Sequence, residues 1–144
     1  MNAEPCLLPG VIFSESVIRD EETGKLSFLG VFHTFAFWQF PGTIGPFYVT
    51  VEVTNLRGLE AGMNVTCRFE MADNGQVIAS QTGNMRFAPD NPLPLATNIV
   101  IDLPMSWQSL AFPNPGPYSV VILADGEEIG RRYFDVFVLQ EVST

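Results

Sequence analysis

Strict alternation of apolar and polar residues in two stretches of this chain limits its fold more than any other feature. Within residues 47–55 and 63–73, every second position carries an apolar side chain until the closing Asn55 and Asp73. A repeat of two residues is typical of a β-strand that buries one face, whereas an amphipathic helix repeats every 3.6 residues. Both stretches are therefore predicted to be one-sided strands. Their inward sets are Phe47, Val49, Val51 and Val53, then Val65, Cys67, Phe69 and Met71.

Turn signals between the apolar runs predict that neighbouring strands pair as antiparallel hairpins. The dipeptides Asn74-Gly75 and Asp125-Gly126 are of the kind that supplies the positive φ angles of a type I′ turn. A third hairpin is predicted at residues 21–24, where it joins a strand over 11–19 to a strand over 26–32.

Proline-rich connections at residues 89–94 and 113–117 alternate with these hairpins, and residues 98–104 supply one more strand. No helix of ten or more residues and no internal repeat is recognisable. Eight or nine short antiparallel strands connected in this way predict an all-β Greek-key sandwich. A chain of 144 residues has the size of one domain, so we expect a single domain over residues 1–144.

Residues 115–122, Pro-Gly-Pro-Tyr-Ser-Val-Val-Ile, resemble the beginning of strand F in immunoglobulin-like domains. There a tyrosine packs its ring in the core and returns its hydroxyl to the backbone at a corner, and Tyr118 is the matching residue. The resemblance covers residues 46–140 and implies an immunoglobulin-like Greek-key β-sandwich with an extra N-terminal hairpin. The antibody pattern is incomplete, because Val120 stands in place of the second cysteine and Phe69 in place of the strand C tryptophan. Strand B matches residues 47–55, strand C 63–73, strand E 98–104, and the F–G turn Asp125-Gly126.

A second resemblance rests on Thr-Gly-Lys-Leu-Ser-Phe-Leu-Gly-Val-Phe at residues 23–32, Gly-Pro-Tyr at 116–118 and an arginine-bearing last strand. These features are similar to those of a family of small bacterial proteins of unassigned function. The similarity implies no activity.

The charge balance excludes two classes of partner. The chain has 7 lysines and arginines against 16 acidic residues, a net charge of -9. Nucleic acids and anionic membranes both attract proteins with a surplus of positive charge, so we expect neither as a partner. No uninterrupted apolar run reaches the ~20 residues that span a bilayer.

The two cysteines favour a reducing compartment. Cys6 and Cys67 are 61 positions apart, and no basic segment followed by an apolar run resembles a secretory signal. Cys67 lies in the inward set of its strand, where a free thiol behaves as a small apolar group. We expect both to be reduced in a cytoplasmic protein, with a disulfide between them as the less favoured alternative.

Catalytic and metal-binding patterns are missing from the sequence. A serine triad would have to use His33, the single histidine, and no Gly-x-Ser-x-Gly motif accompanies it. One histidine and two distant cysteines do not form a zinc set, so no catalytic residue, metal or cofactor is predicted. The acidic groups at 20–22 and 127–128 are interpreted as solvated turns, with calcium as the less favoured alternative. Arg131 and Arg132 are interpreted as a solvated face paired with nearby carboxylates.

Residues 28–40 are the strongest candidate for a contact surface. They contain six large aromatic side chains at both odd and even positions, and a regular one-sided strand buries only one of these sets. An exposed aromatic patch usually marks an interface, so Phe35, Phe37, Trp38 and Phe40 are the predicted interface residues. In the alternative, the segment kinks near Gly30 or Pro41 and all its aromatics belong to the core.

The sequence therefore predicts a non-enzymatic protein-interaction or assembly module that contacts a protein partner or a second copy of itself. The alternative is a carbohydrate- or small-ligand-binding sandwich that uses Trp38 or Trp107 as an exposed stacking platform.

Overall fold

A computed structural model describes residues 7–54, 62–85 and 100–140. The predicted all-β class is confirmed, and the described residues contain no helix that is long and apolar enough to cross a membrane. The proline-rich stretch 89–94 and the first residues of the predicted strand 98–104 lie outside the described residues. The strands are β1 (Leu7–Arg19), β2 (Leu26–Phe32), β3 (Phe35–Phe37), β4 (Gly42–Ile44), β5 (Phe47–Thr54), β6 (Met63–Met71), β7 (Val77–Met85), β8 (Ile101–Trp107), β9 (Leu110–Phe112), β10 (Gly116–Ala124) and β11 (Glu127–Val138).

Two facing sheets contain nine of these strands. The first sheet has the order β2-β1-β5-β8 and the second the order β3-β11-β10-β6-β7, while β4 pairs with β9 separately. Strands B and E of the predicted topology are β5 and β8, which are neighbours in the first sheet. Strands C and F are β6 and β10, which are neighbours in the second. This division is that of an immunoglobulin-like Greek-key sandwich, and the β1–β2 pair is the extra N-terminal hairpin.

Aromatic rings from both sheets fill the space between them. Phe13 of β1 packs against Phe69 of β6 and Phe134 of β11, with ring centroids 6.4 and 5.6 Å apart. The inward sets predicted for the two alternating strands are buried, except that Met71 is only half-buried at the end of β6. Each full-size apolar side chain buried in this way stabilises the fold by about 1.5–3 kcal/mol.

The hairpin turns differ in type. Asp125 and Gly126 both have positive φ angles, 48° and 87°, as a type I′ turn requires. At residues 74–75 the type I′ prediction is wrong, because Asn74 is not left-handed and only Gly75 has a positive φ, 71°. The Gly75 amide donates to the Met71 carbonyl at 2.8 Å, closing a longer loop in which one glycine supplies the single left-handed position. The turn at residues 21–24 has the same hydrogen-bond pattern.

Strand β8 runs past the predicted end at Pro104 and continues to Trp107. A proline inside a strand is tolerated here because β8 is at the edge of the first sheet, where a missing amide donor need not break a ladder.

The N-terminal hairpin projects beyond the rest of its sheet. β1 pairs with β5 only as far as Ser14, opposite Tyr48, whereas its pairing with β2 continues to Arg19, opposite Leu26. Residues 15–19 of β1 therefore extend past β5 by about 17 Å, at ~3.4 Å per residue. This extension leaves a gap at its base, between the first sheet and β3.

Candidate interaction surface

The aromatic segment over residues 28–40 changes sheets, so it is not a regular strand, and the exposed Trp38 shows that its aromatics are not all core either. β2 ends in the first sheet at Phe32, and β3 begins in the second sheet at Phe35. The chain bends at residue 33 and again at residues 38–41, next to Pro41, whereas Gly30 lies within β2. The core lies on opposite sides of the two sheets, so the even-numbered Phe32 of β2 and the odd-numbered Phe35 of β3 both reach it.

This crossing separates the four predicted interface residues. Phe35 is only 3% exposed and packs among core rings, so its prediction as an interface residue is wrong. Phe37 and Phe40 are half-buried and pack on each other edge to face, with ring centroids 5.8 Å apart. Trp38 is 64% exposed, so it is the one member of the set that lies open to solvent.

Trp38 shares one face of its sheet with exposed apolar residues in and just after β11 that sequence reasoning missed, with Leu139 next to it and Tyr133 six residues, about 20 Å, further along the strand. Tyr133 is 66% exposed and Phe137 is 49% exposed, and Leu139 is also exposed. The Leu139 amide donates to the Phe37 carbonyl at 2.8 Å, which brings the end of β11 alongside Trp38. We call Trp38, Tyr133, Phe137 and Leu139 the outer aromatic patch. It lies on the outer face of the five-stranded sheet. The sequence feature that could have revealed it is that the last strand has large aromatics at both odd and even positions, namely Tyr133, Phe134 and Phe137.

The charges on this outer face nearly cancel. The Arg68 and Arg131 guanidinium groups pair with Glu70 and Glu128, each at 2.6 Å, and the hydrogen bond from Arg131 lowers the pKa of the Glu128 carboxyl. With Asp135, the outward-facing positions of β6 and β11 carry two arginines and three acidic residues, which sum to -1 against -9 for the chain. The outer aromatic patch is therefore embedded in an almost neutral surface.

Arg132 is not part of a solvated ion pair, and that prediction is wrong. Its guanidinium lies over the Phe13 ring at 4.2 Å, donates to the Val11 carbonyl at 3.0 Å and lies 2.8 Å from Nδ1 of His33. A guanidinium has only donors, so His33 accepts through Nδ1 and carries its proton on Nε2. Desolvation by burial lowers the pKa of Arg132. The side chain thus ties β11 to β1 and to the β2–β3 connection.

Tyr118 lies at the beginning of β10 with its side chain buried. Its hydroxyl donates to the Asn114 carbonyl at 2.6 Å, and its ring packs against Phe112 and Phe134 with centroids 5.0 and 5.9 Å apart. Burial raises the pKa of the Tyr118 phenol. The side chain can therefore anchor the loop before β10 to the core.

The remaining candidate residues have structural surroundings. Cys67 is a buried free thiol whose pKa is raised by desolvation, while Cys6 lies outside the described residues. Asp20 accepts hydrogen bonds from the amides of the next turn residues, which lower the pKa of its carboxyl. The described part of the chain contains no group of three or more potential metal ligands. Trp107 is only 6% exposed and packs against Phe69, so its prediction as a stacking platform is wrong.

The strand order and the exposed sheet face define the class of this protein as an immunoglobulin-like β-sandwich with an open aromatic surface. The chain belongs to a family of unknown function, DUF6941, whose model matches residues 10–137. Among curated proteins, no sequence matches it.

Three solved structures are similar in part. The alkylpurine DNA glycosylase AlkC of Pseudomonas fluorescens, bound to DNA containing an abasic site analog, matches with a TM-score of 0.46 and 10% identity over 89% of this chain and 30% of its own. An immunoglobulin-like protein from Pseudomonas aeruginosa matches with a TM-score of 0.40 and 9% identity over 93% and 98% of the two chains. A β-glucuronidase of glycoside hydrolase family 2 matches with a TM-score of 0.43 and 13% identity over 68% and 11%. The chain therefore spans less than a third of the glycosylase.

Proposed function

We propose that the protein is a non-enzymatic interaction module that pairs with a second copy of itself through the outer face of its five-stranded sheet. The outer aromatic patch is the observation that carries the proposal. Large aromatic side chains dominate the energetics of protein interfaces, and exposed apolar patches on soluble domains usually mark contact surfaces.

The size of the face supports a stable contact. Five strands of three to twelve residues, spaced by ~4.8 Å with ~3.4 Å per residue, cover roughly 600–700 Å². Two such faces bury roughly 1,300 Å² in total, which exceeds the ~1,000 Å² expected of a specific interface.

The charge distribution supports a second copy as the partner. Two molecules with a net charge of -9 repel each other, but their outer faces carry only -1 each, so these faces add little to that repulsion when they meet. A two-fold axis through Tyr133 that reverses the strand direction lays Arg131 of one copy over Asp135 of the other, because these residues are two positions away on either side. Such self-complementarity is what a two-fold interface requires.

The experiment compares three proteins by light scattering and thermal melting. The double variant Trp38→Ser, Phe137→Ser removes two exposed rings without touching the core. The matched control is Ile18→Ser, which removes a similarly exposed apolar side chain, 52% exposed, from the projecting hairpin. We expect a wild-type dimer, a folded monomeric double variant, and a control that remains a dimer.

Two results would overturn the proposal. The first is a wild-type mass of one chain at high micromolar concentration. The second is a double variant that remains dimeric, since the contact would then lie elsewhere.

A further inference from the structure

An open cavity lies at the base of the projecting β1–β2 hairpin, separate from the outer aromatic patch. Its volume is about 570 Å³, within the range of ~300–1,000 Å³ that is usual for small-molecule sites. The rings of Phe32, Phe35, Phe37 and Phe47 line it together with Glu15. The cavity exists because the hairpin extends past β5 and the chain crosses between the sheets at this point.

The aromatic wall of the cavity is held in place by packing. The Phe35 ring centroid lies 5.2 Å from that of Phe32 and 5.8 Å from that of Phe47, both edge to face. The Phe37 ring lies directly over Gly42, where any Cβ would overlap it. Glycine at position 42 therefore makes room for Phe37, and the wall is formed before any ligand arrives.

Glu15 supplies the only charge among the lining residues. It is exposed, and its carboxylate lies where a side chain on Gly30 would be, because a Cβ there would approach the carboxyl carbon to 2.7 Å. Within the part of the chain that the structure describes, no hydrogen-bond donor or cation pairs with Glu15. A single unpaired carboxylate beside a wall of phenyl rings complements a positive charge carried on an apolar body.

We propose that this cavity binds a small organic amine, whose apolar body lies against the phenyl rings and whose ammonium group pairs with Glu15. Ammonium groups are attracted both to a carboxylate and to aromatic faces within ~6 Å. A neutral molecule of the same shape keeps only the apolar contact, and an anion is repelled. This binding is independent of self-association, since neither Glu15 nor the ring wall belongs to the outer aromatic patch.

The test titrates the protein with phenethylamine and with phenethyl alcohol, which has a hydroxyl in place of the ammonium group. Amide NMR signals of Thr34, Thr43 and Gly45, which line the cavity, report binding at this location. The variant Glu15→Gln removes the charge at constant size, and Glu22→Gln removes a carboxylate from the hairpin tip as the matched control.

We expect the amine to bind more tightly than the alcohol and to shift the cavity signals. Glu15→Gln should lower the affinity for the amine roughly fivefold, which is the effect of losing one solvent-accessible ion pair. The affinity for the alcohol should not change. Equal affinity for the two probes, an unchanged amine affinity in Glu15→Gln, shifts confined to other surfaces, or no binding of either probe would each overturn the proposal. Repeating the titration on the Trp38→Ser, Phe137→Ser variant separates this result from the oligomeric state.

Discussion

The Tyr118 hydroxyl provides a sharp test of how the loop before β10 is held. The substitution Tyr118→Phe keeps the ring among Phe112 and Phe134 and removes only the hydroxyl, which donates to the Asn114 carbonyl at 2.6 Å and accepts from the Asn114 amide at 3.4 Å. A neutral hydrogen bond contributes about 1 kcal/mol net. Asn114 is exposed, so water can bind its freed carbonyl, and we expect a loss of about 1 kcal/mol in the free energy of unfolding.

Removing the ring should cost much more. The Tyr118 side chain is only 1% exposed, and truncation of a buried aromatic to alanine costs about 3–5 kcal/mol. Urea denaturation of the wild type, Tyr118→Phe and Tyr118→Ala measures both losses on one scale. A Tyr118→Phe variant as stable as the wild type would refute the role of the hydroxyl, and one as unstable as Tyr118→Ala would refute the separation of hydroxyl and ring.

The wild type and Tyr118→Phe also test the pKa of the Tyr118 phenol. Burial raises the pKa of Tyr118 above its ordinary value of 10.0, so the unfolded chain loses this proton at a lower pH than the folded one. The stability of the wild type should therefore fall as the pH rises above 10.0, and Tyr118→Phe should escape that part of the loss. The difference between the two proteins is expected to shrink in alkali, and a constant difference would contradict the raised pKa.

Two further predictions concern charged side chains. Desolvation and the neighbouring Asp102 carboxylate raise the pKa of Glu52, so its ionised form destabilises the fold. Glu52→Gln should stabilise the fold at neutral pH by up to about 1 kcal/mol, which raises the melting temperature. This gain in stability should vanish as the pH falls to 4.5, the ordinary pKa of a glutamate. Arg132→Ala should cost about 1–3 kcal/mol in urea denaturation, because it removes a ring stack and two hydrogen bonds. The matched Arg131→Ala should cost less than about 1 kcal/mol, and equal losses would contradict the distinct role of Arg132.

Local patterns in the sequence predicted most of the strands and their pairing. The alternation over residues 47–55 and 63–73 identifies two strands and their core faces, because a strand exposes its two sides at a period of two whatever it packs against. The dipeptide Asp125-Gly126 identified its turn type, because left-handed backbone favours particular residues. Tyr118 could also be singled out from a local pattern, because its hydroxyl bonds to a backbone group only four residues away.

The burial of the aromatic residues was decided by tertiary structure. Within residues 28–40 the chain crosses from one sheet to the other, and the side of a strand that faces the core reverses at that crossing. No local repeat records such a reversal, which is why Phe35 is core while Trp38 is surface.

Partners that are distant in sequence were equally beyond the reach of local patterns. Arg132 lies over Phe13, and Tyr133 and Phe137 share a surface with Trp38, although about a hundred residues separate them in sequence. Periodicity along a chain identifies which side chains share a face of one strand. Only the packing of one strand against another determines whether that face is covered, what charge lies beside it, and where a gap such as the Glu15 cavity remains.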